Sequence, residues 1–323
     1  MSPLTYSQAY REGLAEEMAA NSAIFVMGTD ILLRGGHFAQ VLGLGERFGA
    51  ERIRDVPISE AAMVAAGVGA AVQGMRPVVD LNFQEFAYGA MDELCNQAAK
   101  IHYMFDIPVP LVVRATNGIA YGGAQHNSAI ESWFAEIPGL NVAVPSTPSD
   151  AKGLIKTALH LDDPVLFLMD KMLTGVRGEV GGPDVFTPFG LADVVRAGDQ
   201  VTLVAYGASL RTCLQAAEQL ATDGISVEVI DLRTLYPLDV ETVAESVRKT
   251  GRAVMVDQSA GYGGVSAEIA ASLQEAAFDY LDAPILRVHA PHSPAPQSPP
   301  LLTAYLPDSA AVERAVRAQL ARP

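Results

Sequence analysis

Cysteine and tryptophan are nearly absent from this chain: two Cys and one Trp occur in 323 residues. Cys95 and Cys213 stand far apart, with no CxxC and no Cys/His cluster. A disulfide framework is thereby excluded, and structural zinc is not expected. Each cysteine sits in an apolar stretch, so burial is the expected state of both. Positive charge is also scarce. The 22 Lys and Arg face 37 Asp and Glu, leaving a net charge of −15 and a pI near 4.7. Such a chain lacks the basic surface that nucleic acid and anionic membranes require, and it suits a basic protein partner. No apolar run approaches the roughly 20 residues of a membrane span. The opening stretch, MSPLTYSQAYREGLAEEM, carries acidic residues and no signal-type apolar core. A cytoplasmic location is therefore expected. Three common motifs are missing as well. The residues after Met27 read GTDILLRGG and not GxGxxG, and neither a Walker-type loop nor a GxSxG elbow occurs. The nicotinamide, P-loop and α/β-hydrolase readings thus lose their main support.

What is present is 50% apolar and only 18% charged, a globular composition. At roughly 150 residues per domain the length suits two domains, each able to bury a core. Short β-rich runs alternate with Ala-rich or amphipathic ones. Strands are expected at Ala23–Met27, Pro77–Leu81, Pro110–Ala115, Asn141–Val144 and Pro164–Met169. Helices are expected at Ser59–Met75, with Ser59 as cap, at Phe86–Met104 and at Ser149–Leu161. From Lys171 to Gly198 the pattern lapses into a cluster of glycine and proline, the mark of a crossover or linker. Alternation then resumes, with strands at Val201–Tyr206, Ser226–Leu232, Ala253–Asp257 and Ile285–His289. Helices are expected at Ser209–Ala221, Asp239–Thr250, Val265–Leu281 and Ser309–Ala321, and His289–Pro300 reads as a proline-rich surface loop. The fold class is α/β, with two parallel-sheet domains over residues 1–185 and 186–323.

The informative stretch is Asp55-Val56-Pro57-Ile58-Ser59-Glu60 at a helix start. On general grounds Glu60 is a favourable charge at the positive end of a helix dipole. Its neighbours say more. Gly74-Met75-Arg76-Pro77-Val78-Val79, Phe86, Asn96-Gln97-Ala98-Ala99-Lys100, Gly123-Ala124-Gln125-His126, Ile137-Pro138-Gly139-Leu140 and Asp150-Ala151-Lys152-Gly153-Leu154 follow in order. Tyr206-Gly207, Asp231-Leu232-Arg233-Thr234-Leu235 and Ala290-Pro291-His292-Ser293-Pro294 continue the series. Together they resemble the DTPISE, GLRPVV, NQAAK, GAQH, IPGL, DAKGLL, VTYG, DLRTL and APxTP segments of one family. It is the β subunit of the decarboxylating component of thiamine diphosphate-dependent 2-oxo acid dehydrogenases, of the pyruvate, branched-chain and acetoin types.

The resemblance implies a transketolase-like pyrimidine-binding domain over 1–185 and a transketolase C-terminal-like domain over 186–323. It implies that this chain activates thiamine diphosphate for decarboxylation of a 2-oxo acid and acyl transfer to a lipoyl carrier. Glu60 matches the glutamate that hydrogen-bonds the pyrimidine ring nitrogen, a role suited to a carboxylate that can share a proton. Phe86 matches an aromatic packed on the aminopyrimidine, with plain core packing as its competing reading. Ile58 and Asn82 fall among the cofactor-binding positions. His126 matches a histidine on the substrate side, where imidazole can bind a carboxylate or move protons. The family holds magnesium and the diphosphate on a GDG…N motif, which this chain lacks. The resemblance therefore implies no metal ligand on this chain and a partner α subunit that supplies them, in an α2β2 heterotetramer with a second β chain. Docking to a lipoyl acyltransferase core or carrier protein is implied too. Several positions depart from the family pattern. Thr29 stands where a glutamate is usual, Asn82 where Gln or Met is common, and Gln258 where HEA or DEA has its glutamate. The family's R-D-x-x-P potassium turn reads His160-Leu161-Asp162-Asp163-Pro164, which argues against that ion. Two other readings stay open: a bipartite transketolase-like enzyme with another acceptor, and a non-catalytic assembly subunit on the same scaffold.

Overall fold

Runs of apolar residues without alternation are the signature of strands covered on both faces, and this chain uses them that way. In the computed structural model, which describes residues 3–120 and 122–322, the strand β1 (Ile24–Gly28) is buried at every residue. It is joined by β2 (Ile53–Asp55), β3 (Arg76–Phe83), β4 (Val112–Asn117), β5 (Asn141–Ala143) and β6 (Val165–Asp170). These lie in the order β5-β6-β4-β3-β1-β2, every pair parallel. Gly28 at the end of β1 sits opposite both Asp55 and Asp80. The carboxyl ends of β1 and β2 are thus level, and β3 runs three residues further, to Phe83.

The longer helices of this unit are α1 (Tyr6–Ala20), α2 (Glu60–Val72), α3 (Ala99–Phe105) and α4 (Pro148–Ala158). Helix α1, for which the sequence raises no expectation, starts from a capping box between Thr5 and Gln8 and packs on α4. Gly13 permits the close approach, since a Cβ there would lie 2.9 Å from the Lys152 carbonyl oxygen. Ion pairs cross the contact as well. Lys152 Nζ lies 2.8 Å from carboxylates of both Glu12 and Glu16, and Lys156 Nζ 2.8 Å from Glu16. Both lysines are buried. Glu17 adds an ion pair to Lys156 at 3.4 Å and accepts from His160 Nε2 at 2.7 Å.

The segment expected as one helix over 86–104 is three pieces. A 310 stretch covers Gln84–Ala90, a π-helical turn covers Glu93–Ala98, and only α3 is α-helical. The wide turn keeps Leu94, Ala98 and Ala99 together on the buried side. It also leaves Cys95 half-buried, whereas Cys213 is buried as expected.

The second group of strands is β7 (Asp193–Arg196), β8 (Val201–Ala205), β9 (Val227–Asp231), β10 (Ala253–Val256) and β11 (Leu286–Val288). Their order is β11-β10-β8-β9-β7, parallel except for β7, an antiparallel edge on β9. Helices α5 (Ser209–Thr222), α6 (Val240–Thr250), α7 (Val265–Ala277), α8 (Pro299–Tyr305) and α9 (Ser309–Leu320) complete it. Leu203, Val229 and Val254 of the sheet form one core with Leu210, Cys213 and Leu220 of α5 and with Val312 and Val316 of α9. The stretch 171–198, expected as a linker, contains two strands, Arg177–Gly178 and β7, and the expected loop His289–Pro300 ends in α8.

The chain separates into two compact units. One is Met1–Asn117 with Trp133–Phe189, and the other is Gly118–Ser132 with Gly190–Pro323. Among the described residues no helix is long and apolar enough to cross a membrane.

Candidate functional site

Ligands of parallel α/β sheets bind beyond the carboxyl ends of the strands. In the first unit that edge carries four of the five residues singled out by sequence. After β2, the chain passes Ile58 and enters α2 at Glu60, the first helical residue. Glu60 is half-buried, and Ile58 is 75% exposed, an apolar side chain open to a ligand. Asn82 is the last residue but one of β3, and Phe86 lies in the 310 stretch that follows. Helix α2 packs against that stretch, so Glu60 and Phe86 ride on contacting elements.

The local sequence explains how these residues are held. Asp55 Oδ1 accepts from the backbone N–H groups of Ile31 and Leu32 at 2.6 and 3.0 Å. The first residue of the DVPISE stretch therefore ties down the loop after β1. Thr29 belongs to the same tie, its hydroxyl donating to the Val56 carbonyl at 3.3 Å. Asn82 has a φ of +62°, a left-handed conformation that asparagine tolerates better than most residues. Its N–H donates to Asp80 Oδ1 at 2.8 Å. Asp80 is itself buried, accepting from Gln40 Nε2 at 2.7 Å and lying 3.3 Å from Arg114 Nη1. This neutral, buried trio fixes the end of β3.

Sequence reasoning missed an aromatic cluster at the same edge. Phe83 meets Phe86 edge-on, with ring centroids 5.8 Å apart. It also meets Phe38 at 6.0 Å and His37 at 5.3 Å. The Lys171 ammonium stands 5.6 Å from the Phe83 ring centre, beside the buried Glu85 and Asp170. Burial pushes the Lys171 pKa down, and the two carboxylates push it back up. Phe83 lies next to the motif residue Asn82, so proximity in sequence was the one available signal. Phe38 and Lys171 gave none, because they come from distant segments.

His126 falls elsewhere. It ends a 310 turn, Ala124–His126, within the segment that joins the second unit. Asn127 shapes that segment. Its side chain accepts from Ala120 N–H at 2.8 Å and donates to the Gly123 carbonyl at 2.9 Å. Gly122 and Gly123 supply the positive φ values of 108° and 75° that the turn needs.

No group of three or more His, Cys, Asp or Glu side chains fit to hold a metal is assembled among the described residues. The turn at 159–162 is already served by a cation of the chain itself. The Arg76 guanidinium donates to the Leu159 and Leu161 carbonyls at 3.0 and 2.8 Å and pairs with Asp162 at 3.0 Å.

Comparison with known proteins matches residues 2–176 to the transketolase pyrimidine-binding domain and residues 190–312 to the transketolase C-terminal domain. The chain is 42% identical to the 2-oxoisovalerate dehydrogenase subunit beta of Bacillus subtilis, over 98% of both proteins. It is 42% identical to the pyruvate dehydrogenase E1 component subunit beta of Rhizobium meliloti, over 98% of this chain and 70% of that protein. The acetoin:2,6-dichlorophenolindophenol oxidoreductase subunit beta of Cupriavidus necator is 40% identical over 97% of this chain and 96% of its own length. Among solved structures, a split-gene transketolase described as an inactive β4 tetramer superposes with a TM-score of 0.82, at 25% identity and 99% coverage of both chains.

Proposed function

The chain belongs to the family of transketolase-like β subunits of 2-oxo acid dehydrogenases, and we propose that it acts as such a subunit. It serves the decarboxylation of a 2-oxo acid by thiamine diphosphate and the transfer of the acyl group to a lipoyl carrier. The observation that carries this reading is the half-buried Glu60 carboxylate at the start of α2, beside the exposed Ile58, in a chain with relatives of that kind along its whole length.

The residues fit an aminopyrimidine ring. Such a ring is flat and apolar on its faces and carries nitrogens at its edge. Ile58 offers apolar surface, Phe86 offers a half-buried ring, and Asn82 offers a polar side chain on a fixed turn. Glu60 shares a proton with a ring nitrogen through its carboxylate oxygen, at the positive end of a helix dipole. His126 binds the substrate carboxylate or moves a proton through a ring nitrogen. Thiamine diphosphate, when bound, supplies the carbon nucleophile, and the chain supplies orientation and electrostatics. We assign magnesium and the diphosphate to an α subunit in an α2β2 heterotetramer, because the chain lacks the family's GDG…N motif and its described residues assemble no cluster of hard oxygen ligands. Its net charge of −15 suits docking to a basic region of an acyltransferase core or carrier protein. Two free thiols fit the reducing cytoplasm.

The test is co-production with the α subunit, followed by calorimetry of thiamine diphosphate and magnesium binding. Tight binding is expected only in the complex. Glu60→Gln is expected to lower turnover about 100-fold or more while the tetramer mass is unchanged. Full binding by this chain alone would end the split-site assignment, and full turnover by Glu60→Gln would end the role of Glu60. The split-gene transketolase neighbour supports a second reading, two-carbon transfer to a sugar. Its 25% identity against 42% for the dehydrogenase relatives places it second, and an assay with an aldose acceptor separates the two.

A further inference from the structure

In the first unit, the start of α1 and the turn at 38–42 line a cleft of about 340 Å3, within the roughly 300–1,000 Å3 typical of small-molecule sites. Its charge sets it apart. Arg11 is the one charged side chain in the lining, and no carboxylate shares it, in a chain of net charge −15. Arg11 Nη1 donates to the Ala39 carbonyl at 3.1 Å. Among the described residues Arg11 has no other hydrogen-bond partner and no ion pair. A guanidinium carries five N–H donors, in a planar fork that matches a carboxylate.

Two more donors line the same cleft. Ser7 is 7% exposed, and its hydroxyl has no hydrogen-bond partner among the described residues. A hydroxyl buried in that way is unfavourable until something pairs with it. Gln8 Oε1 accepts from the Thr5 N–H at 2.9 Å, which leaves its Nε2 to donate. The backbone amides of the helix start are already taken. The N–H groups of Tyr6 and Ser7 donate to the Val176 and Thr174 carbonyls at 2.8 and 3.3 Å, and that of Gln8 donates to Thr5 Oγ1 at 3.2 Å. Binding therefore falls to side chains, with the helix dipole favouring negative charge. Phe38 and Leu42 supply apolar surface on the other side.

We propose that this cleft is a binding site for a small carboxylate with a short aliphatic chain. Arg11, Ser7 and Gln8 donate to the carboxylate oxygens, and Phe38 and Leu42 cover the chain. Inorganic phosphate shares the anionic oxygens but has nothing to set against the apolar side. The site lies apart from Glu60 and Phe86 and does not rest on the reaction assigned above. Occupancy bears on the turn. Ala39 has a φ of +54°, a conformation rare for alanine, and Arg11 holds its carbonyl. The next residue, Gln40, donates to Asp80, which accepts the Asn82 N–H. A ligand that fixes Arg11 thus steadies the 38–42 turn.

The experiment uses the full chain and reads amide hydrogen exchange by mass spectrometry, with butanoate, butanol and inorganic phosphate as separate probes. Butanoate is expected to slow exchange in the 36–42 segment, and the titration gives its affinity. Butanol, which lacks the charge, is expected to slow nothing there. Two variants are compared with the wild type. Gln8→Glu keeps the capping box with Thr5, because glutamate serves at that position. It also gives Arg11 a carboxylate partner three residues away. Arg11→Met removes the cation and keeps most of the side chain's length. Both are expected to weaken butanoate about tenfold, the scale of one charge-assisted hydrogen bond. Should Arg11→Met fail to fold, Gln8→Glu decides alone. A wild type without protection at 36–42 overturns the proposal, as does equal butanoate affinity in the wild type and Gln8→Glu. Protection by phosphate as tight as by butanoate overturns the aliphatic carboxylate in favour of a bare oxyanion. Protection confined to residues 58–86 would give the carboxylate to the candidate site and overturn the cleft.

Discussion

Asn82 shows how a single position can be legible in one sense and opaque in another. The sequence marks it as a departure, asparagine where Gln or Met is common. The structure supplies the reason, a φ of +62° at the end of β3 with the N–H bound to Asp80. Asparagine and glycine accept that conformation, and longer side chains pay for it. Asn82→Gln is accordingly expected to cost about 1 kcal/mol, with Asn82→Gly within a few tenths of the wild type. Urea unfolding of the three proteins checks this, and equal midpoints would refute it. Gly139 is a similar case within the IPGL motif. Its φ is +91°, and a Cβ there would lie 2.0 Å from the Ala99 carbonyl oxygen. The motif was readable, but its cause, a backbone from another element, was not. Gln258 completes the series: the substitution is visible in sequence, while its bond to Ile119 spans too many residues to be inferred.

Among elements, the buried strands were the most legible, because a strand covered on both faces is an unbroken apolar run. Helix α1 was invisible for the opposite reason. Its buried face mixes Tyr6, Ala9, Tyr10, Leu14 and Met18 with Gly13 and with Glu16 and Glu17, which pair with the buried Lys152 and Lys156, and the acidic residues read as solvent-exposed charge. The edge strand β7 was hidden by its brevity and by Val194, which is 44% exposed. The ionic seam between α1 and α4 has a pH signature. Burial works against the Glu16 carboxylate, but hydrogen bonds from Lys152 and Lys156 outweigh it and hold the pKa below its ordinary 4.5. A depressed carboxylate stabilises the fold above that ordinary value and loses its contribution as pH falls through the folded one. Burial likewise works against the Lys152 ammonium, but Glu12 and Glu16 raise its pKa above the ordinary 10.5. That contribution is present below 10.5 and fades as pH rises through the folded value. Glu16→Gln is therefore expected to destabilise by about 2 kcal/mol near neutral pH, less than a fully severed buried pair because Glu12 and Glu17 remain. The difference in melting temperature between wild type and variant should shrink at both acid and alkaline extremes. A difference independent of pH would mean that the seam acts by packing alone.

For the whole molecule, two α/β units and their order were legible, because alternation of strand and helix is a long-range pattern. The candidate site was legible only where motifs carried it: Ile58, Glu60, Asn82 and Phe86 share one sheet edge, whereas Phe38 and Lys171 reach it from segments that no spacing links. His126 belongs to a segment whose company could not be read at all. Residues 118–132 leave the first unit between β4 and the Trp133–Phe189 stretch, yet they pack with residues 190–323. That detour has a consequence for how the protein is made. On a ribosome, the first unit's strands emerge with a gap of 15 residues already in place, and the surface those residues need is still untranslated. A chain stopped at Phe189 would contain every residue of the first unit and also His126, with nothing for the histidine's segment to fold upon. The last stretch of the chain to be synthesised thus sets when an early one acquires its shape.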